Sequence, residues 1–170
     1  FGAISYIKVV EQDNGSKNIA VHIPYSTASK VVVKLEDTNG FSLFSKYVKG
    51  EKGFAKMLNV NSLPNGVYFI TIEDDEKITK QAFRIESDAV VLKGYQKEVT
   101  QKPVFQYNPR RQMALLDVVA EGLIEVEMQN ENGFSLLKKN ARGEFQQAFN
   151  LEHLEQGSYT FIIRYNENTF

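Results

Sequence analysis

The chain has no cysteine and no tryptophan, and only four prolines and two histidines among its 170 residues. Without cysteine there can be no disulfide, no thiolate zinc site and no cysteine nucleophile. Its absence does not fix a compartment, because exported proteins also do without cysteine. No apolar stretch approaches the ~20 residues that a membrane-spanning helix requires. Neither charge dominates: 20 Lys and Arg stand against 21 Asp and Glu, a formal net charge of −1. Such a balance builds no broad field for a polyanion, so nucleic acid is not expected as a partner.

What is present is material for a core. Hydrophobic residues make up 42% of the chain, with 12 Phe and 8 Tyr among them, which argues against disorder. The chain also repeats itself. Asn39-Gly40-Phe41-Ser42-Leu43 returns as Asn132-Gly133-Phe134-Ser135-Leu136, at an offset of 93. Leu63-Pro64-Asn65-Gly66-Val67-Tyr68 returns as Leu154-Glu155-Gln156-Gly157-Ser158-Tyr159, at an offset of 91, so a two-residue indel separates the two matches. Seven of the twelve positions from Asn39 to Gly50 are identical to Asn132 to Gly143. Two copies of a unit of roughly 85 residues are expected, a length that suits a small β-sandwich. The first copy is assigned to 1–86 and the second to 87–170. A unit of that size buries only about 60–65% of its unfolded surface, so each core is modest.

Periodicity gives strands. Ile19, Val21, Ile23 and Tyr25 alternate with Ala20, His22 and Pro24, and Val31, Val33 and Leu35 with Val32, Lys34 and Glu36. Turn signals separate the strands at Asp13-Asn14-Gly15, Asn39-Gly40, Pro64-Asn65-Gly66 and Asp74-Asp75. Seven strands are expected in the first copy, near 4–11, 18–25, 30–37, 41–48, 54–60, 66–73 and 77–85. The second copy shows six, near 103–107, 112–119, 123–129, 134–140, 144–150 and 157–165. Residues 86–101 read as a junction, with Ala89-Val90-Val91-Leu92 able to form a short strand. Helix is scarce: Glu152-His153-Leu154 suits a single turn, and Met113–Ala120 is read as strand. The expected fold is all-β, two tandem immunoglobulin-like β-sandwiches.

The residues equivalent to Ile78–Ile85 would fall beyond Phe170. Two readings stand: the given sequence stops short of that strand, or the second copy lacks it, which would leave a sheet edge open to strand exchange with another chain. The opening Phe1-Gly2-Ala3 has no Met and fits either what a cleaved signal peptide leaves behind or an arbitrary boundary in a longer sequence.

Catalytic patterns are missing. His22 and His153 sit at non-equivalent positions, without an HExxH-type partner. Asp74-Asp75-Glu76 reads as a solvated hairpin tip, and neighbouring carboxylates on a strand face opposite ways. The EF-hand alternation is not there, no GxSxG elbow occurs, and Lys49-Gly50-Glu51-Lys52-Gly53 lacks the ending of a phosphate loop. No cofactor and no metal are expected. Basic residues Lys93, Lys97, Lys102, Arg110 and Arg111 interleave with Tyr95, Phe105 and Tyr107. Tyr95, Tyr107, Arg110 and Arg111 form the candidate partner surface, for a protein or a cell-surface glycan.

The recurring residues have structural readings. Gly40 and Gly133 can supply a positive φ beside an Asn, and Gly66 and Gly157 can do so ahead of a strand. Tyr68 and Tyr159 are similar to the tyrosine at a sandwich corner, whose hydroxyl finds a backbone partner.

Val31-Val32-Val33-Lys34-Leu35-Glu36-Asp37-Thr38-Asn39-Gly40, followed by Leu63-Pro64-Asn65-Gly66-Val67-Tyr68-Phe69-Ile70-Thr71-Ile72, resembles the C-terminal sorting domain of the type IX secretion system. It looks equally like related immunoglobulin-like domains of secreted and surface proteins of the same bacteria. Tyr107-Asn108-Pro109 resembles that domain's proline-containing lead-in. The resemblance implies an exported protein, placed in the periplasm, at the cell surface or outside the cell. The expected function is that of a non-catalytic structural, adhesion or interaction module acting through sheet edges and loop tips. Carbohydrate binding through Tyr47, Tyr95 and Tyr107 is an alternative, as is the sorting role itself.

Overall fold

The structure is a computed structural model and describes residues 6–11, 17–23, 30–49, 53–87 and 89–170. The turn expected at Asp13-Asn14-Gly15, the strand residues Pro24 and Tyr25, and Gly50-Glu51-Lys52 lie outside the described residues. The described chain is all-β, and it divides into two compact units, Phe1–Val99 and Thr100–Phe170.

Among the described residues, the first unit has eight strands in two sheets. One sheet holds β1 (Tyr6–Glu11), β2 (Lys17–Ile23) and β5 (Phe54–Asn59), in the order β1-β2-β5. The other holds β3 (Val31–Asp37), β4 (Ser42–Val48), β6 (Gly66–Glu73), β7 (Lys77–Glu86) and β8 (Ala89–Gln101), in the order β4-β3-β6-β7-β8. The pairings of β1 to β7 are antiparallel. This division of strands between two sheets is that of an immunoglobulin-like sandwich. The alternation of the sequence is the cause. Val31, Val33 and Leu35 of β3 turn inward, and they meet Ile19, Val21 and Ile23 of β2 in one buried cluster with Ile70, Ile72, Phe83 and Ile85. Each fully buried aliphatic side chain contributes on the order of 1.5–3 kcal/mol. Strand β6 sits between β3 and β7, so both its edges are hydrogen-bonded; Tyr68, Ile70 and Ile72 face the core, and the half-buried Phe69 has the Lys80 ammonium 4.3 Å from its ring centre.

Two findings depart from the sequence reading. Residues expected as a junction form a thirteen-residue strand, β8, beside β7. Its β-branched and aromatic content outweighs the single Gly94. The division between units therefore falls at Val99/Thr100, later than the expected 86/87.

The second departure lies in the second unit, built from β9 (Val104–Asn108), β10 (Met113–Asn130), β11 (Ser135–Asn150), β12 (Tyr159–Tyr165) and β13 (Asn168–Thr169). Two pairs of expected strands are each one continuous strand: 112–119 with 123–129 in β10, and 134–140 with 144–150 in β11. The register explains how. Val119 pairs with Glu144 and Leu123 with Arg142, so Ala120, Glu121 and Gly122 oppose Gly143 alone. Gly122 and Gly143 have φ of +97° and +80°. This bulge lets both strands bend without breaking the ladder.

The bend folds one sheet into two layers. β9 pairs with Met113–Asp117 of β10, and β12 with Glu125–Asn130. Ala114, Leu116, Val118, Phe145 and Phe149 from one half then share a core with Ile124, Val126, Ile163 and Tyr165 from the other. Phe161 of β12 closes the gap, with its ring centroid 5.0 Å from Phe149 and 5.3 Å from Phe105. Near its end the chain turns at Asn166 and Glu167, both with positive φ, as a two-residue hairpin requires. β13 then pairs with Arg164 and Tyr165. Glu152 and His153 form a turn and no helix.

Candidate functional site

The repeated Asn-Gly-Phe-Ser-Leu segments build matching hairpin tips. In the first unit the Asp37 carboxylate accepts from the backbone N–H groups of Asn39 (2.8 Å) and Phe41 (2.9 Å). In the second the Asn130 side-chain oxygen accepts from Asn132 and Phe134, each at 3.0 Å. Gly40 N–H donates to the Asp37 carbonyl, and Gly133 N–H to that of Asn130. The φ angles of Gly40 and Gly133 are +79° and +78°. These are three-residue hairpin loops whose last residue is left-handed, a place for glycine. Gly66 opens β6 at φ +154°, a positive φ that a residue with a side chain rarely adopts, as expected of it. Gly157 is absent from the positive-φ residues, so the left-handed role expected of it does not hold. The chain reaches Tyr159 through ordinary backbone there.

The tyrosines after those glycines share a partner type. The Tyr68 hydroxyl donates to the Pro64 carbonyl (2.8 Å) and that of Tyr159 to the Glu155 carbonyl (2.7 Å). The loops answer each other too: Val60 N–H donates to the Lys17 carbonyl and Leu151 N–H to that of Gln112.

The tips themselves are apolar and open to solvent. Phe41 is 67% exposed and Phe134 68%, with Leu43 and Leu136 at 40% and 47%. Each turn uses the backbone of its Phe and leaves the ring free. Sequence reasoning missed these rings. The signal was in the repeat, which keeps a Phe where the turn chemistry asks only for Gly and an Asp or Asn.

On the outer face of the β10–β12 pair lies Glu127, whose side chain is only 11% exposed. Arg164 approaches its carboxylate to 3.3 Å and Lys138 to 3.7 Å. Hydrogen bonds from Gln129 and Ser135, then Arg164 and the Lys138 charge, hold the carboxyl down at about 2. Nothing in the motif search pointed to this cluster, because its members lie on three strands. The Tyr165 hydroxyl donates to the Gln101 carbonyl, and burial pushes it up to about 12.

Of the residues picked as a partner surface, Tyr107, Arg110 and Arg111 come together at the β9–β10 hairpin. They line an open depression of about 670 Å³ with Met113, Leu115 and Ala148. Asn108 organises the turn, its side-chain oxygen accepting from the N–H groups of Arg110 and Arg111. Tyr107 is 53% exposed. The Tyr95 side chain lies outside the described residues. Tyr47 faces outward from β4, with the Lys30 ammonium 4.5 Å from its ring centre.

No group of three His, Cys, Asp or Glu among the described residues could hold a metal ion. Asp74 spends its carboxylate on the N–H groups of Glu76 and Lys77, which accounts for the acidic run as a hairpin tip. No described helix is long and apolar enough to cross a membrane.

Comparison with known proteins fits this picture. Residues 14–86 match the family model of the secretion system C-terminal sorting domain. Such a domain is a non-catalytic secreted module, and the match marks the chain as an exported protein of the cell surface or the medium. No curated protein matches the chain. Among solved structures, the BSP domain of a biofilm associated protein aligns with 89% of this chain at 15% identity, with a TM-score of 0.28. The chain spans a quarter of that protein's length.

Proposed function

We propose that this chain is an exported contact module built of two copies of one sandwich, each presenting an apolar hairpin tip to a protein partner at the cell surface. The pair Phe41 and Phe134 carries the reading. Two rings about two-thirds exposed, at the ends of hairpins with the same hydrogen bonds, have no task inside their own units. Exposed apolar groups on a rigid, polar-walled scaffold serve contact. The test displays the full chain on a bacterial surface and measures cell-to-cell and cell-to-surface adhesion. Replacing both Phe41 and Phe134 by Ser is expected to reduce adhesion while the melting temperature stays within a degree or so, since surface changes of this kind cost little. Unchanged adhesion would remove the tips from the function.

The match over residues 14–86 favours a second reading, a role in sorting. A reporter fused to the chain and expressed in a bacterium with that secretion system would then reach the surface, and a reporter alone would not. Glycan binding draws support only from exposed tyrosines, and titrating tyrosine fluorescence with polysaccharide tests it.

A further inference from the structure

We infer that the Phe41 tip of one chain docks in the depression beside Tyr107 and Leu115 of a second copy, so that the chain assembles head to tail. The inference rests on the contact-module reading above and names the partner. A knob and a hole are both present. The knob is Phe41 with Leu43, projecting from the β3–β4 hairpin. The hole is the open depression at the β9–β10 hairpin, whose lining includes Tyr107, Met113, Leu115 and Ala148.

Charge selects which tip fits. Glu36 and Asp37 stand at the base of the Phe41 tip, and the corresponding residues behind Phe134 are the neutral Gln129 and Asn130. The hole is rimmed by Arg110 and Arg111, both exposed, and the described structure sets no carboxylate in its lining. An acidic knob therefore meets a basic rim, while the Phe134 tip brings only Glu131. Complementary charge of this kind steers encounter and fixes orientation, and the buried ring supplies the affinity. Because knob and hole are different surfaces, the contact is heterologous and repeats from copy to copy as a ring or an open row.

Sedimentation of the full chain over a wide concentration range tests this. Wild type is expected to associate with rising concentration and less so at high salt. Phe41→Ser and the pair Arg110→Glu with Arg111→Glu should each weaken association about tenfold or more. Phe134→Ser should weaken it less than Phe41→Ser does. The absence of native cysteine makes a second test clean: Ser42→Cys and Gln106→Cys chains, which keep Phe41 and Leu115, purified separately and mixed under oxidising conditions, should form a mixed disulfide dimer. A chain that stays monomeric at every concentration, loss of association with Phe134→Ser but not with Phe41→Ser, or no mixed disulfide would each overturn the inference. A monomeric wild type whose adhesion still depends on the tips would overturn it and leave the contact-module reading standing.

Discussion

Arg164 of β12 reaches the Glu127 carboxylate of β10 at 3.3 Å, between neighbouring strands, with the Glu127 side chain almost covered. The link is part of a cluster that keeps Glu127 ionised far below the ordinary carboxylate range, at about 2 against 4.5. A carboxyl whose pKa falls on folding adds stability that is present above its unfolded value and is lost as pH drops through the folded one. The second unit should therefore weaken between about pH 4.5 and 2. Hydrogen exchange at the β10 and β12 amides of the full chain reads this directly. Glu127→Gln should exchange faster at neutral pH and show a smaller further rise on acidification.

Tyr165 predicts the opposite edge of the pH range. Its hydroxyl, buried and donating to the Gln101 carbonyl, ionises only near 12 in the fold. The unfolded chain ionises near 10, so stability held below that pH is lost as pH rises toward 12. Phenolate absorbance should show one late-titrating tyrosine, absent in Tyr165→Phe. That variant should also lose less stability between pH 10 and 12 than the wild type.

The corner tyrosines offer a matched pair. Tyr68 is buried and stacks against Phe83 at 5.7 Å, whereas Tyr159 is only partly buried. Removing either hydroxyl leaves a loop carbonyl without its donor, at a cost of about 0.5–1.5 kcal/mol. Tyr68→Phe should sit at the upper end of that range, since water replaces the lost donor less readily there. Chemical denaturation of each variant measures the difference.

Glycine substitutions separate a turn requirement from simple recurrence. Gly40→Ala and Gly133→Ala place a Cβ in left-handed backbone and should each cost about 1–2 kcal/mol, although nothing crowds the new atom. Gly157→Ala should be close to neutral. Its backbone is not left-handed, and the nearest atom to a Cβ there is a Glu131 oxygen at 3.7 Å. Thermal melts of the three variants give the ranking.

The strands of the first unit were legible because burial on one face leaves alternation in the sequence. Strand ends read at 30–37 and 66–73 differ from β3 and β6 by at most a residue. The merging of strands in the second unit was not legible. Gly122 and Gly143 look like turn glycines, and only pairing across the bend shows that hydrogen bonding continues through them. β8 was legible only at its start: Val90 and Leu92 alternate with the exposed Ala89 and Val91 and pack on the core, whereas Lys97, Glu98 and Val99 are all exposed and carry no period. On the candidate site, Tyr107, Arg110 and Arg111 stood close in sequence and remain close in space. Glu127, Lys138 and Arg164 come from β10, β11 and β12, and cross-strand register cannot be read from composition. Phe41 and Phe134 were visible as residues but not as exposed rings, because an aromatic beside a turn can pack inward or outward with equal ease.

The unbroken ladder between β10 and β11 also sets an order of events in folding. Once the Asn132-Gly133 turn closes, each further pair from Gln129↔Ser135 to Met113↔Asn150 adds to a neighbour already in place, with register shifts at Met128/Gln129 and at Val119/Leu123. Every step then closes a short loop, and little chain entropy is spent before contacts repay it. The described hairpins of the first unit, β3–β4 and β6–β7, are shorter, and β2 must find β5 in a ladder separate from theirs. In a refolding experiment that follows both units, the second should gain its protected amides first, before the first unit has joined its two sheets.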